Sequence, residues 1–218
     1  ALTLADWIGS DTDFFELSPD LTAPSDAIDT ARCRAWGALQ DLGLIPNRDI
    51  DPTLVNILDG YAPYEIQEKI QDLPVSREGT LTVLESATGS GKTEGALGRY
   101  ARLLENGLVD SMYFAVPTRA AAKQLYKRIK EARDRIFGAK EPRVYLAVPG
   151  YLSADDDEGT RFSQRSEDVG PRGWAAESSK RYTASPIAVG TIDQVLLAAL
   201  RNPHALLRLA GLARSFLV

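Results

Sequence analysis

The segment that most restricts the fold is LTVLESATGSGKTEGAL, residues 81–97. A short apolar run, LTVLE at 81–85, enters a loop of small residues and two glycines, and a helical stretch follows from Lys92. The run reads as a buried strand, and the stretch to Glu105 as a helix stopped by Asn106 and Gly107. Strand, glycine-rich loop and helix in that order make a cradle for phosphate. Gly89 and Gly91 allow backbone angles and a closeness of approach that a side chain would block. Successive N–H groups of the loop then point inward, and the helix start adds its positive end. Lys92 is expected to reach the outer phosphates, and the Thr93 hydroxyl to ligate magnesium. Thr88, Gly89, Ser90, Gly91, Lys92, Thr93 and the following Glu94 are the ATP-site candidates, with Lys92 and Thr93 the catalytic ones. Ser86 stands where glycine is usual in G-x-x-x-x-G-K-[ST], a mild departure because serine is small.

The rest of the chain continues the alternation. SMYFAV (111–116) reads as a strand, 120–137 as a long helix, RVYLAV (143–148) as a strand, PIAVG (186–190) as a strand with a helix to about 200, and ARSFLV (213–218) as a further strand. Strands alternating with helices imply crossover connections and a parallel sheet covered on both faces, an α/β fold. Upstream lies a helical segment, ALTLADWIGS, then a linker rich in acids and proline. A second helix is expected from Ser25 to about Leu42, with Ala27, Ile28, Ala31, Ala35, Trp36, Leu39 and Leu42 as its apolar stripe. The stretch 152–180 reads as an acidic loop.

Charge narrows the function classes. Residues 1–74 hold 14 acidic and 4 basic residues, a balance of −10; the remainder holds 16 and 21, a balance of +5. The total of −5 argues against coating nucleic acid by charge alone, while the basic part can hold phosphates locally. Residues 119–135 carry seven basic and two acidic side chains, mostly read as a solvated face with only the N-terminal end on phosphate. No apolar run of roughly 18 residues and no secretory pattern is present, so no membrane association is expected. The lone Cys33 suits a reducing cytoplasm. Trp174, Tyr61, Tyr64 and Tyr151 could stack on bases or pack on the domain.

Four stretches, PYEIQ (63–67), ATGSGKTE (87–94), PTRAAA (117–122) and VGTIDQ (189–194), together resemble the first RecA-like lobe of a superfamily 2 helicase. That resemblance implies that Gln67 reads adenine. It implies that Pro117, Thr118 and Arg119 grip a DNA backbone, and that Gly190 and Thr191 contact the same strand. Longer matches, among them SATGSGKTEGAL, SPIAVGTIDQVLLAAL and LADWIGSDTDFF, resemble the CRISPR-associated helicase–nuclease of type I systems. The family implies that residues 1–17 are the tail of an HD-type nuclease domain, 18–60 a linker and connecting helix, and 61–218 the helicase lobe, interrupted before its DExH motif. It implies a 3′–5′ single-stranded DNA translocase fused to a metal-dependent nuclease. The cofactors are ATP and Mg2+, with a divalent transition metal at the nuclease site, where Asp6 is a ligand. The partner is a guide-RNA surveillance complex. His204 is the single histidine and is read as structural. Another superfamily 2 helicase or remodeller without a nuclease, a non-hydrolysing nucleotide-binding module and a metabolic P-loop kinase stay open as alternatives.

Overall fold

The computed structural model describes residues 2–12, 14–15, 24–138, 142–148, 185–200 and 205–218. Two N-terminal helices, α1 (Leu2–Gly9) and α2 (Pro24–Asp41), precede two short ones, α3 (Leu54–Ile57) and α4 (Glu65–Gln71). Then follow α5 (Lys92–Glu105), β1 (Ser111–Val116), α6 (Arg119–Phe137), β2 (Val144–Ala147), β3 (Ile187–Thr191), α7 (Ile192–Ala199), α8 (Ala205–Leu212) and β4 (Ser215–Leu217). The four strands form one parallel sheet in the order β2-β3-β1-β4.

Period-2 alternation along each strand divides the core in two. Met112 of β1, Val144 and Leu146 of β2, and Ile187 and Val189 of β3 enter the larger core. There they meet Leu97, Tyr100 and Leu104 of α5 and Ala122, Leu125, Ile129 and Ala132 of α6. Tyr113, Ala147 and Ala188 point to the other face, against Val195 of α7 and Leu212 of α8. Strands buried on both sides read as continuous apolar runs, which is why they are legible in the sequence. Ile129 is 0% exposed, and full burial of such a side chain contributes about 1.5–3 kcal/mol.

Helix α6 has clear physical ends. The Thr118 hydroxyl accepts a hydrogen bond from the Ala121 N–H at 3.1 Å, and Gly138 closes the helix with φ 63°. Helix α5 lies against α3 and α4 because two of its residues lack side chains. A Cβ on Gly95 would come within 2.8 Å of Ile70 Cδ1, and one on Gly98 within 2.8 Å of Leu54 Cδ2.

Three expectations need correction. Residues 81–85 are not a strand: none of the four strands pairs with them, and Leu81 and Val83 are 93% and 78% exposed. A strand without a neighbour gains no ladder hydrogen bonds, so apolar composition alone does not make one. In α2 the expected apolar stripe is only partly used. Ile28 and Trp36 are exposed, whereas Ala38 and Leu42 pack with Ile8 of α1 and Tyr145 of β2. The third correction adds α3 and α8, which the sequence pattern does not announce; each is short, and α8 packs Leu212 against the sheet while Leu206 and Leu209 stay exposed. Trp174, Tyr151, His204 and the 152–180 loop lie outside the described residues. Among the described residues no helix is long and apolar enough to cross a membrane.

Gly190 is a close-packed point in the sheet. A Cβ there would overlap the Tyr113 hydroxyl and lie 2.5 Å from the Ala147 carbonyl oxygen, a backbone atom that cannot swing away. Gly190→Ala is therefore expected to lower stability by about 1–3 kcal/mol, read as a reduced urea midpoint. Tyr113→Phe, which keeps the ring and removes the hydroxyl that donates to the Thr191 carbonyl at 3.4 Å, should shift it by less. A midpoint for Gly190→Ala equal to the parent's would contradict this packing.

Candidate nucleotide and nucleic-acid site

The phosphate loop adopts the backbone its sequence demands. Gly89 and Gly91 have φ 82° and 76°, in the left-handed region, and Gly91 is the N-cap of α5. The amides of the first turn have no acceptor within the helix and face the loop. The Lys92 ammonium bends back over the loop and donates to the carbonyl oxygens of Ser86 and Ala87, at 2.8 and 2.7 Å. Thr93 and Glu94 follow in the same turn, both partly exposed.

Helix α4 braces the loop from behind through Gln67, which is 2% exposed. Its Nε2 donates to the Gly91 carbonyl at 2.9 Å, and its Oε1 accepts from the Tyr64 N–H at 2.9 Å. A Cβ on Gly91 would overlap that carboxamide, so glycine is required both for its angle and for the bond. Expected as an adenine reader, Gln67 in this structure has both ends of its amide on backbone. Two arginines of α5 hold the end of α4 in place. Arg99 donates to the carbonyls of Leu73 and Pro74 at 2.7 and 2.6 Å, and Arg102 to that of Gln71 at 2.5 Å. Burial, with the neighbouring Arg102 adding to it, draws the Arg99 guanidinium below its ordinary pKa.

Parallel pairing brings the two remaining motifs together. Val116 sits beside Thr191 in the ladder, so the turn at Pro117, Thr118 and Arg119 and the end of β3 share the C-terminal edge of the sheet. Ligand sites of open parallel sheets form at that edge. Pro117, Thr118 and Arg119 are exposed. Gly190 and Thr191 are buried, Thr191 to 4% exposure, so neither residue offers a surface. The reason is their place in a strand flanked on both sides. Asp6 is exposed on α1, and among the described residues no three His, Cys, Asp or Glu side chains gather where a metal could bind.

One participant escapes sequence reading. Arg128 of α6 reaches across to Glu94, Nη2 to Oε1 at 2.5 Å. The side chains are 55% and 23% exposed, and such a pair contributes about 0–1 kcal/mol to stability. The basic run is visible in the sequence; nothing in it singles out Arg128 as the residue facing the loop.

A parallel sheet with a glycine phosphate loop at the head of α5, and two turns gathered on the sheet's C-terminal edge, defines a RecA-like P-loop nucleotide-binding lobe. Residues 60–200 match the family described as type III restriction enzyme, res subunit, and the chain belongs to that family. It is homologous to the CRISPR-associated endonuclease/helicase Cas3. It is 34% identical to that protein of Escherichia coli over 99% of this chain and 25% of the relative. It is 31% identical to that of Thermus thermophilus over 99% of this chain and 24% of the relative. The structure of T. fusca Cas3-ADP covers 98% of this chain and 25% of that one, with 29% identity and a TM-score of 0.72. The chain thus spans about a quarter of the length of the relatives it matches.

Because Gln67 holds the loop rather than standing open, Gln67→Ala is expected to weaken ATP and GTP alike, about tenfold. Competition binding on the intact protein reads this directly. A loss confined to adenine nucleotides would assign base reading to Gln67 instead.

Proposed function

We propose that this chain is the first nucleotide-binding lobe of an ATP-dependent 3′–5′ single-stranded DNA translocase. In the intact protein it is joined to a metal-dependent nuclease and serves CRISPR interference in the cytoplasm, recruited by a guide-RNA surveillance complex. The observation that carries this reading is the loop itself: two left-handed glycines, Lys92 and the start of α5 in one phosphate cradle. The similarity to Cas3 proteins along almost the whole chain supports the larger setting.

In this reading the loop amides and Lys92 bind the β- and γ-phosphates of ATP. Lys92 exchanges its two carbonyl partners, Ser86 and Ala87, for phosphate oxygens, which places positive charge where negative charge grows during phosphoryl transfer. Thr93, in the first turn of α5, has the hydroxyl and the exposure to hold the Mg2+ that neutralises the triphosphate. Gln67 keeps the loop in shape by holding Gly91. The exposed Thr118 and Arg119 contact the DNA backbone. Gly190 and Thr191 act from within the sheet by fixing the start of α7 beside that turn. Residues 1–17 are assigned to the end of the nuclease domain, where Asp6 would be a ligand. The described residues around Asp6 do not by themselves make up a metal site.

Lys92→Ala in the intact protein is expected to lower ATP hydrolysis by about 100-fold or more with an unchanged thermal midpoint. Retained hydrolysis would remove Lys92 from the phosphates. Arg119→Ala should weaken single-stranded DNA binding uniformly across sequences and reduce the slope of log K against log salt by about one contact. An unaltered slope would take Arg119 off the backbone.

A further inference from the structure

Glu94, an ATP-site candidate, is paired with Arg128, which has no part in DNA binding as proposed above, and the pair joins the two sites. Glu94 lies in the first turn of α5, two residues past Lys92. Arg128 lies in the middle of α6, ten residues past the cap Thr118. The two are 34 residues apart in sequence, and their ion pair links the two helices. Helix α6 is continuous from Arg119 to Phe137 and is keyed to the sheet by Ala122, Leu125, Ile129 and Ala132. A pull at Arg128 is therefore carried along a rigid rod to the turn at Thr118 and Arg119.

The charges give the link a direction. A carboxylate two residues from Lys92 repels phosphate oxygens arriving in the loop, and Arg128 draws that carboxylate toward α6. A polyanion in the loop raises the negative potential around Glu94 and so strengthens its hold on Arg128. Since the pair is half in solvent and adds little stability, its value lies in position.

We infer that Glu94 and Arg128 form a positioning pair that couples occupancy of the phosphate loop to the grip of the α6 N-terminus on a nucleic-acid backbone, an inference that rests on the proposed function. Coupling of this kind is reciprocal and is measured as a ratio of affinities.

The test is the dissociation constant of a dT oligonucleotide on the intact protein, by fluorescence anisotropy, with and without a non-hydrolysable ATP analogue. Arg128→Gln should leave the constant without nucleotide within about twofold of the parent's and reduce the nucleotide-dependent ratio about fivefold or more, towards one. Arg128→Lys, which keeps the charge, should retain a larger part of the ratio. Glu94→Gln should also lose it, and the double variant should lose no more than either single one, the mark of two groups acting through each other. Thermal midpoints report any loss of fold. A parental ratio in Arg128→Gln overturns the coupling. So does a fall in midpoint with both constants weakened equally, which is a structural role only. A parent that binds oligonucleotide and analogue without mutual effect overturns the coupling while sparing the proposed function. A parent that binds no oligonucleotide overturns both.

Discussion

The parallel pairing of β1 with β3 is the constraint on which the rest depends. Its register, Met112 beside Ile187 through Val116 beside Thr191, puts the C-terminal ends of both strands at one edge. The turn that starts α6 and the turn that starts α7 must then emerge side by side. The same register sends Met112, Ile187 and Val189 to one face and Tyr113 and Ala188 to the other. Neither face can be exposed, so α5 and α6 cover one and α7 and α8 the other. Gly190 is what lets the three neighbouring strands pack this closely, because Tyr113 and Ala147 occupy the space its side chain would need.

A phosphate cradle made of backbone amides works only if it is in shape before its ligand arrives. Here the shape is held from outside the loop. Gln67 fastens the Gly91 carbonyl, and Arg99 and Arg102 fasten the segment behind Gln67. Each of these bonds joins a side chain of one short element to the backbone of another. The loop therefore depends on α4 and α5 staying together, which Gly95 and Gly98 permit by their lack of side chains. In contrast, α1 and α2 meet the sheet through a small cluster around Ile8, Leu42 and Tyr145.

Much of the architecture is legible in advance. The glycine loop and the start of α5 at Lys92 can be read because glycine content and helical periodicity are local properties. Helix α6 can be placed to within one residue at its start, since Thr118 and Gly138 mark its ends chemically. Strands β1, β2 and β3 stand out as apolar runs because they are buried on both faces. Reading fails where a local pattern needs a distant partner. Residues 81–85 have the composition of a strand and no strand beside them. Ile28 and Trp36 of the expected stripe are exposed, while its last members, Leu39 and Leu42, pack together with Ala38.

The sequence by itself determined that a phosphate-binding loop opens a helix and that strands and helices alternate. These follow from spacing, from glycine's freedom and from capping, which act over a few residues. Only the tertiary structure decided that Gln67 commits its amide to Gly91 and Tyr64, that Gly190 is a packing glycine, and that Arg128 among seven basic residues meets Glu94. Those outcomes depend on which surfaces meet across tens of residues, and residue spacing along the chain carries no record of that.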